Sequence, residues 1–152
     1  KEMFLLNYRK QIKVVNSCMM FRKSVHVDNG LYFTQHHPSI SVDWTYVLRF
    51  SLVSKIVGIS KILVRLDRRA NRDSVTSNHS KQFRASRELI KNFYYEFPEL
   101  ISQEDFRYAM NTQRNLELGH LAGLKFFIVG VFYWIRFQDR RFLKKVLNRF
   151  KR

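Results

Sequence analysis

The chain of 152 residues is long enough to enclose a hydrophobic core, and its 45% apolar and 15% aromatic content excludes a disordered or low-complexity protein. Its 28 lysines and arginines outnumber its 12 acidic residues, and the formal net charge of +16 predicts attraction to nucleic acid, anionic lipid or phosphorylated small molecules. Cys18 is the only cysteine, which excludes an internal disulfide and favours a reducing, cytoplasmic location.

The first half of the chain carries signals for strands as well as for one helix. Residues 14–21 form a short apolar run rich in strand-forming side chains, which predicts a buried strand. Asp43 precedes apolar residues at helical spacing, so we expect it to cap a helix that ends near Lys55. Residues 55–66 alternate between apolar and basic or small side chains, which predicts one or two strands.

The second half of the chain has helical periodicity. Residues 81–97 place their apolar side chains on one side and stop at Pro98, which predicts the end of a helix. Ser102 has a carboxylate three residues later, in Asp105, and this spacing predicts a capping box at the start of the next helix.

Two glycines, Gly119 and Gly123, are expected to break the helical run that follows. Residues 121–135 are apolar nearly all round, but about 15 residues with a lysine inside are too few to cross a bilayer. A short basic helix at about 140–150 closes the chain. Strands mixed with one helix and then a run of helices predict an α+β arrangement.

Several short motifs in the first half occur in a recognisable order. They are Phe21–Arg22–Lys23, Gly30–Leu31, Asp43–Trp44, Leu48–Arg49 and Leu63–Val64–Arg65. In this order they resemble the second half of bacterial family-2 inverting glycosyltransferases, especially those that build surface polysaccharides. The resemblance covers about residues 4–80, and the later residues share only the habit of a helical carboxyl-terminal extension.

The resemblance implies a fold and a division of the chain. Residues 1–80 would be the acceptor-side part of a glycosyltransferase domain of the GT-A fold, an α/β fold whose nucleotide-binding half is missing here. Residues 81–152 would be a helical extension with a basic amphipathic tail. The start at Lys1, without a methionine, fits such a fragment, and it fits removal of a leader equally well. We expect the fragment to be inactive by itself.

The resemblance also implies roles for individual residues. Asp43 matches the family's catalytic base, although Val42 stands where a glutamate is common. Trp44 would stack on a sugar face or, as the alternative, belong to the core. Arg68 and Arg69 would meet the diphosphate, or lie in a solvated basic loop that lacks the family's histidine. The family's Mg²⁺ or Mn²⁺ would have its ligands largely in the missing half.

The basic tail, residues 136–152, predicts a surface for membranes. Its apolar positions share one helical face that basic side chains surround, which is typical of a helix lying on anionic lipid. The residues predicted to contact the membrane are Phe142, Lys144, Lys145 and Arg149. The alternative is that this face packs onto the domain.

Together these features predict a glycosyltransferase at the inner face of the cell membrane. It would transfer a sugar from a nucleotide-sugar donor to a glycan or lipid-linked acceptor. A basic nucleic-acid-binding module is the main alternative, but the sequence carries no recognised binding motif and no single stripe of charge, so a nucleic-acid partner is not expected. A non-catalytic scaffold is the third interpretation.

Overall fold

The computed structural model describes residues 1–12, 19–31, 42–62, 64–65 and 79–150. Within these ranges the chain forms helices and no strand. The helices are α1 Glu2–Lys10, α2 Lys23–Asp28, α3 Val42–Val53, α4 His79–Glu96, α5 Gln103–Gly119, α6 Gly123–Phe137 and α7 Arg140–Phe150.

The predicted α+β fold, a fragment of an α/β GT-A domain, is therefore wrong for the part of the chain that the structure describes. Residues 55–62 and 64–65 have no regular structure where strands were expected, and most of the predicted strand at 14–21 lies outside the described residues. Val57, Ile59 and Ile62 are 82%, 66% and 88% exposed. An alternating pattern stabilises a strand only when a neighbouring strand pairs with its backbone and a core covers its apolar side, and this segment lacks that cover.

The helices of the second half begin and end where the sequence signals predict. α4 ends at Glu96, two residues before Pro98. Ser102 caps α5, since its hydroxyl accepts a hydrogen bond from the Asp105 amide while the Asp105 carboxylate accepts one from the Ser102 amide. α5 ends at Gly119, and α6 starts at Gly123, whose φ of 55° is in the left-handed region that favours glycine.

The larger core cluster lies where α5 packs against α1 and α4, and where α1 packs against α3. Its buried residues are Phe4, Tyr8, Leu48, Ile90, Phe93, Ile101, Ala109 and Met110. The Tyr8 hydroxyl is satisfied inside this cluster because it donates to the carbonyl oxygen of Ile90 at 2.8 Å. Since the cluster draws on α1 and α3 as well as on α4 and α5, one core contains residues from both sides of the boundary expected near residue 80.

A second, smaller cluster joins the end of α5 to α6 and α7. Leu118, Phe126, Phe142 and Val146 are buried there. The ring of Phe142 lies 5.3 Å from that of Tyr133, and the guanidinium of Arg149 lies 5.2 Å from the ring of Phe126. The first turn of α7 is therefore beside the last turns of α6, so the two helices form an antiparallel hairpin.

Polar contacts fix α7 to α5 beside this cluster. Asp139 caps α7, since its carboxylate accepts from the Arg141 amide at 2.9 Å. The Arg141 guanidinium also donates to that carboxylate and to the hydroxyl of Thr112, and it lies 4.0 Å above the ring of Tyr108. Asn111 donates to Asp139 at 3.1 Å. The direction of α7 is thus set by a connected polar network as well as by apolar packing.

Candidate functional site

The candidate catalytic residue, Asp43, lies at the start of α3. The helix begins at Val42, so Asp43 is inside the first turn rather than in the capping position that the sequence predicts. Its side chain is exposed to solvent. A carboxylate in this position can be reached by a substrate, which a general base requires.

Trp44, the next residue, is held by α1. Its indole nitrogen donates to Oδ1 of Asn7 at 3.1 Å, and its ring packs against the larger core cluster. Asn7 is buried, so this hydrogen bond satisfies a polar group that water cannot reach. The ring of Trp44 is half-buried against the core, as the alternative interpretation of this residue expects. Its contact with a sugar stays a prediction.

The body of α3 is fixed on two sides. Arg49 forms a bidentate ion pair with Glu96 of α4, with nitrogen–oxygen distances of 2.7 and 2.8 Å. On another side, Tyr46 and Phe50 pack with Leu31 in a third small cluster. These contacts hold α3 in place on two sides, and Asp43 lies on the first turn of this helix.

A histidine for which no role is predicted from the sequence also contacts α3. His26 of α2 lies with its Nδ1 2.9 Å from the hydroxyl of Tyr46, and the ring of Phe21 lies tilted against both rings. Burial raises the pKa of the Tyr46 hydroxyl, so this group stays protonated at neutral pH. The contact between His26 and Tyr46 could not be predicted from the sequence. Many proteins have an aromatic residue on the inner side of a helix and a histidine near a turn.

The remaining predicted substrate contacts, Arg68 and Arg69, lie outside the described residues. No group of three or more histidine, cysteine or acidic side chains in the described ranges is placed to hold a metal ion. The described residues consequently provide no ligand set for the Mg²⁺ or Mn²⁺ that the resemblance implies.

The four predicted membrane contacts on α7 separate into two groups. Phe142 is fully buried between α6 and α5, and the ammonium group of Lys145 donates to the carbonyl oxygen of Asn115 in α5. Burial lowers the pKa of Lys145. Lys144 and Arg149 are exposed. Phe142 and Val146 thus pack onto the protein, as in the alternative interpretation, while Leu147 on the same helix is 50% exposed.

Among the residues with described positions, no helix combines the length and the apolar character needed to cross a bilayer. No family model matches the sequence, and no curated protein or solved structure shows significant similarity to it.

Proposed function

We propose that the chain is the acceptor-side part of an inverting glycosyltransferase. It would transfer a sugar from a nucleotide-sugar donor to a glycan or lipid-linked acceptor in bacterial surface-polysaccharide synthesis. The observation that carries the proposal is the position of Asp43, exposed on the first turn of a helix whose next residue, Trp44, is bound to Asn7.

In the proposed step, the Asp43 carboxylate accepts the proton of the acceptor hydroxyl. The oxygen attacks the anomeric carbon of the donor sugar, the bond from that carbon to the diphosphate oxygen breaks, and the nucleoside diphosphate leaves with the electron pair. Attack from the face opposite the leaving group inverts the configuration at this carbon. A carboxylate is a modest base, so accurate placement supplies much of the rate.

The proposal is supported by the exposed position of Asp43 on α3, by the contacts that hold this helix and by the order of the motifs around it. It does not include an α/β sheet, because the described residues form helices.

The test uses the complete natural protein with membranes as the source of acceptor. Release of nucleoside diphosphate is measured with a panel of nucleotide sugars. We expect turnover with at least one donor, and a loss of about 10²- to 10⁴-fold in kcat for Asp43→Asn with nucleotide binding unchanged.

Glu104→Gln is the matched control, because Glu104 is also an exposed carboxylate in the first turn of a helix. It should keep full turnover. Turnover that survives Asp43→Asn, or no turnover with any nucleotide sugar, would contradict the proposal.

The nucleic-acid alternative has less support, because several arginines are used inside the structure. Arg49 and Arg87 pair with glutamates on neighbouring helices, and the guanidinium groups of Arg9, Arg114 and Arg141 lie over aromatic rings. These cations are partly neutralised or covered, which weakens them as contacts for a phosphate backbone. Salt-dependent retention on DNA without any sugar transfer would favour this alternative over the transferase.

A further inference from the structure

α6 has an apolar face on each of two opposite sides. Successive residues of a helix are rotated by about 100°, which places Leu124, Ile128, Val131 and Ile135 within a sector of about 60°. Phe132 widens this sector to about 100°. These five residues are called the outer face.

The opposite side of α6 is already covered by the protein. Phe126 and Gly130 are buried there, and Tyr133 and Phe137 pack against the second cluster with them. Gly130 faces Val146 of α7 and Leu118 of α5. Since α5 and α7 both lie against this inner side, neither helix covers the outer face.

The outer face is open to solvent along the whole helix. Leu124, Ile128 and Ile135 are 75%, 60% and 66% exposed, and Phe132 and Val131 are 56% and 39% exposed. Single exposed apolar residues are ordinary, but a continuous stripe along about three turns of one helix is typical of an interaction surface.

Positive charge borders this stripe. Lys125 and Arg136 follow the outer face on one side of the helical projection, and both are exposed. The only acidic residue from the start of α6 to the end of α7 is Asp139, which is bound by Arg141 and Asn111.

This charge selects one kind of occupant. A second copy of the chain would place the same cationic border against itself in a two-fold interface, which like charges oppose. An anionic bilayer offers phosphate groups to the cations and acyl chains to the apolar stripe. Trp134, 37% exposed at the other edge of the stripe, is a residue type enriched at the boundary between headgroups and acyl chains.

We propose that α6 lies flat in the surface of an anionic membrane, with its outer face among the upper acyl chains and Lys125 and Arg136 among the headgroups. Its 15 residues extend over about 22 Å, which suits a helix in the plane of the surface better than one across it. The membrane-facing surface is thus the outer side of α6, and the apolar side of α7 serves to hold α6 in place. This proposal is independent of the sugar-transfer chemistry.

The experiment measures sedimentation of the full chain with vesicles of phosphatidylethanolamine and phosphatidylglycerol, compared with phosphatidylcholine alone. We expect binding to the anionic vesicles and a loss of about tenfold or more for Ile128→Glu/Ile135→Glu. Both side chains are already exposed, so the variant should fold, which its circular dichroism and melting temperature check.

The matched control is Val57→Glu/Ile59→Glu, which places the same charges on exposed apolar residues of the segment between α3 and α4. It should bind vesicles like the unmodified chain. Emission of Trp134 should be quenched by lipids brominated near the headgroup, and Trp134→Phe should remove that signal.

Three outcomes would overturn the proposal. They are an absence of binding to anionic vesicles, equal losses in the α6 variant and its control, and a dimer in light scattering that the α6 variant abolishes while vesicle binding persists. None of them involves sugar transfer, so failure of this proposal is separate from failure of the proposed activity.

Discussion

Gly130 of α6 lies so close to Val146 of α7 that a β-carbon at Gly130 would overlap the Cγ2 atom of Val146. The side chain of Leu118 closes the same space, with a methyl group 3.4 Å from that position. The absence of a side chain at Gly130 is therefore what allows α6 and α7 to approach each other over the second cluster.

Gly130→Ala should destabilise the protein although alanine is the better helix former. Alanine would gain about 1 kcal/mol in an unhindered helix, so a net loss of about 1–2 kcal/mol is expected from the overlap with Val146. The measurement is urea unfolding. In a Val146→Ala background the loss should shrink, and Gly58→Ala, where nothing lies within 4 Å, should change stability little. A stabilising effect of Gly130→Ala would contradict the close approach.

Asn7→Leu should destabilise the protein by about 1–3 kcal/mol, because the indole N–H of Trp44 loses its acceptor in a partly buried site. Chemical denaturation of the single variants and of Asn7→Leu/Trp44→Phe separates the two effects. The double variant should cost less than the sum of the single ones. Asn148→Leu, at an exposed position on α7, is the control and should have a small effect.

Asp139 should make the stability depend on acid pH. Burial alone would raise the pKa of this carboxyl, but hydrogen bonds from Arg141, the charge of Arg141 and a hydrogen bond from Asn111 hold it below its ordinary value of 3.8. A carboxyl whose pKa is lower in the folded state than in the unfolded state stabilises the fold at any pH above its unfolded-state pKa. This stabilisation is lost as the pH falls through the pKa of the folded state.

Asp139→Asn should therefore be less stable than the unmodified chain by about 1–2 kcal/mol at neutral pH, with the difference shrinking below about pH 4. Unfolding free energies from pH 7 down to pH 3 give the comparison. Glu99→Gln, at an exposed position in the turn before α5, is the control. A difference that stays constant over this range would show that charge at Asp139 is not the cause.

Ser102→Ala should weaken the start of α5 by about 1 kcal/mol, since the amide of Asp105 loses its acceptor. Ser24→Ala, at an exposed position in α2, provides the comparison. Thermal unfolding of both variants is the measurement. Equal effects would mean that the capping box contributes nothing beyond helix propensity.

The helices from α3 to α7 could be predicted from the sequence because their signals are local. Pro98, Ser102, Gly119 and Gly123 act through the backbone of their own neighbourhood, whatever packs around them. α1 has no such signal. Its formation depends on burying Phe4 and Tyr8 against α4 and α5, which are distant in sequence.

The strand prediction failed for the opposite reason. An alternating pattern at residues 55–66 requires a paired neighbour, and periodicity does not reveal whether one exists. The environment of Phe142 could not be predicted from the sequence for a similar reason, since an apolar helical face suits either a bilayer or a core. The apolar residues of α6 surround that helix, so α7 covers one side of α6 and leaves the other side exposed.

In the candidate site, the helix that carries Asp43 could be predicted from the sequence, but the way that helix is held could not. The catalytic role of Asp43 stays a prediction. Asn7 lies 37 positions before Trp44, and the ion pair of Arg49 with Glu96 joins residues 47 positions apart. Such pairs depend on how the helices are packed, which no local pattern encodes.

α5 supplies Ala109 and Met110 to the larger cluster and Leu118 to the smaller one. A helix shared by two cores cannot open without exposing both of them to water. Its amide protons should therefore exchange with solvent only when the whole domain unfolds, while those of α2, which buries no side chain, exchange through local opening. A substitution that destabilises one cluster should consequently destabilise the other, because both clusters pack against the same helix.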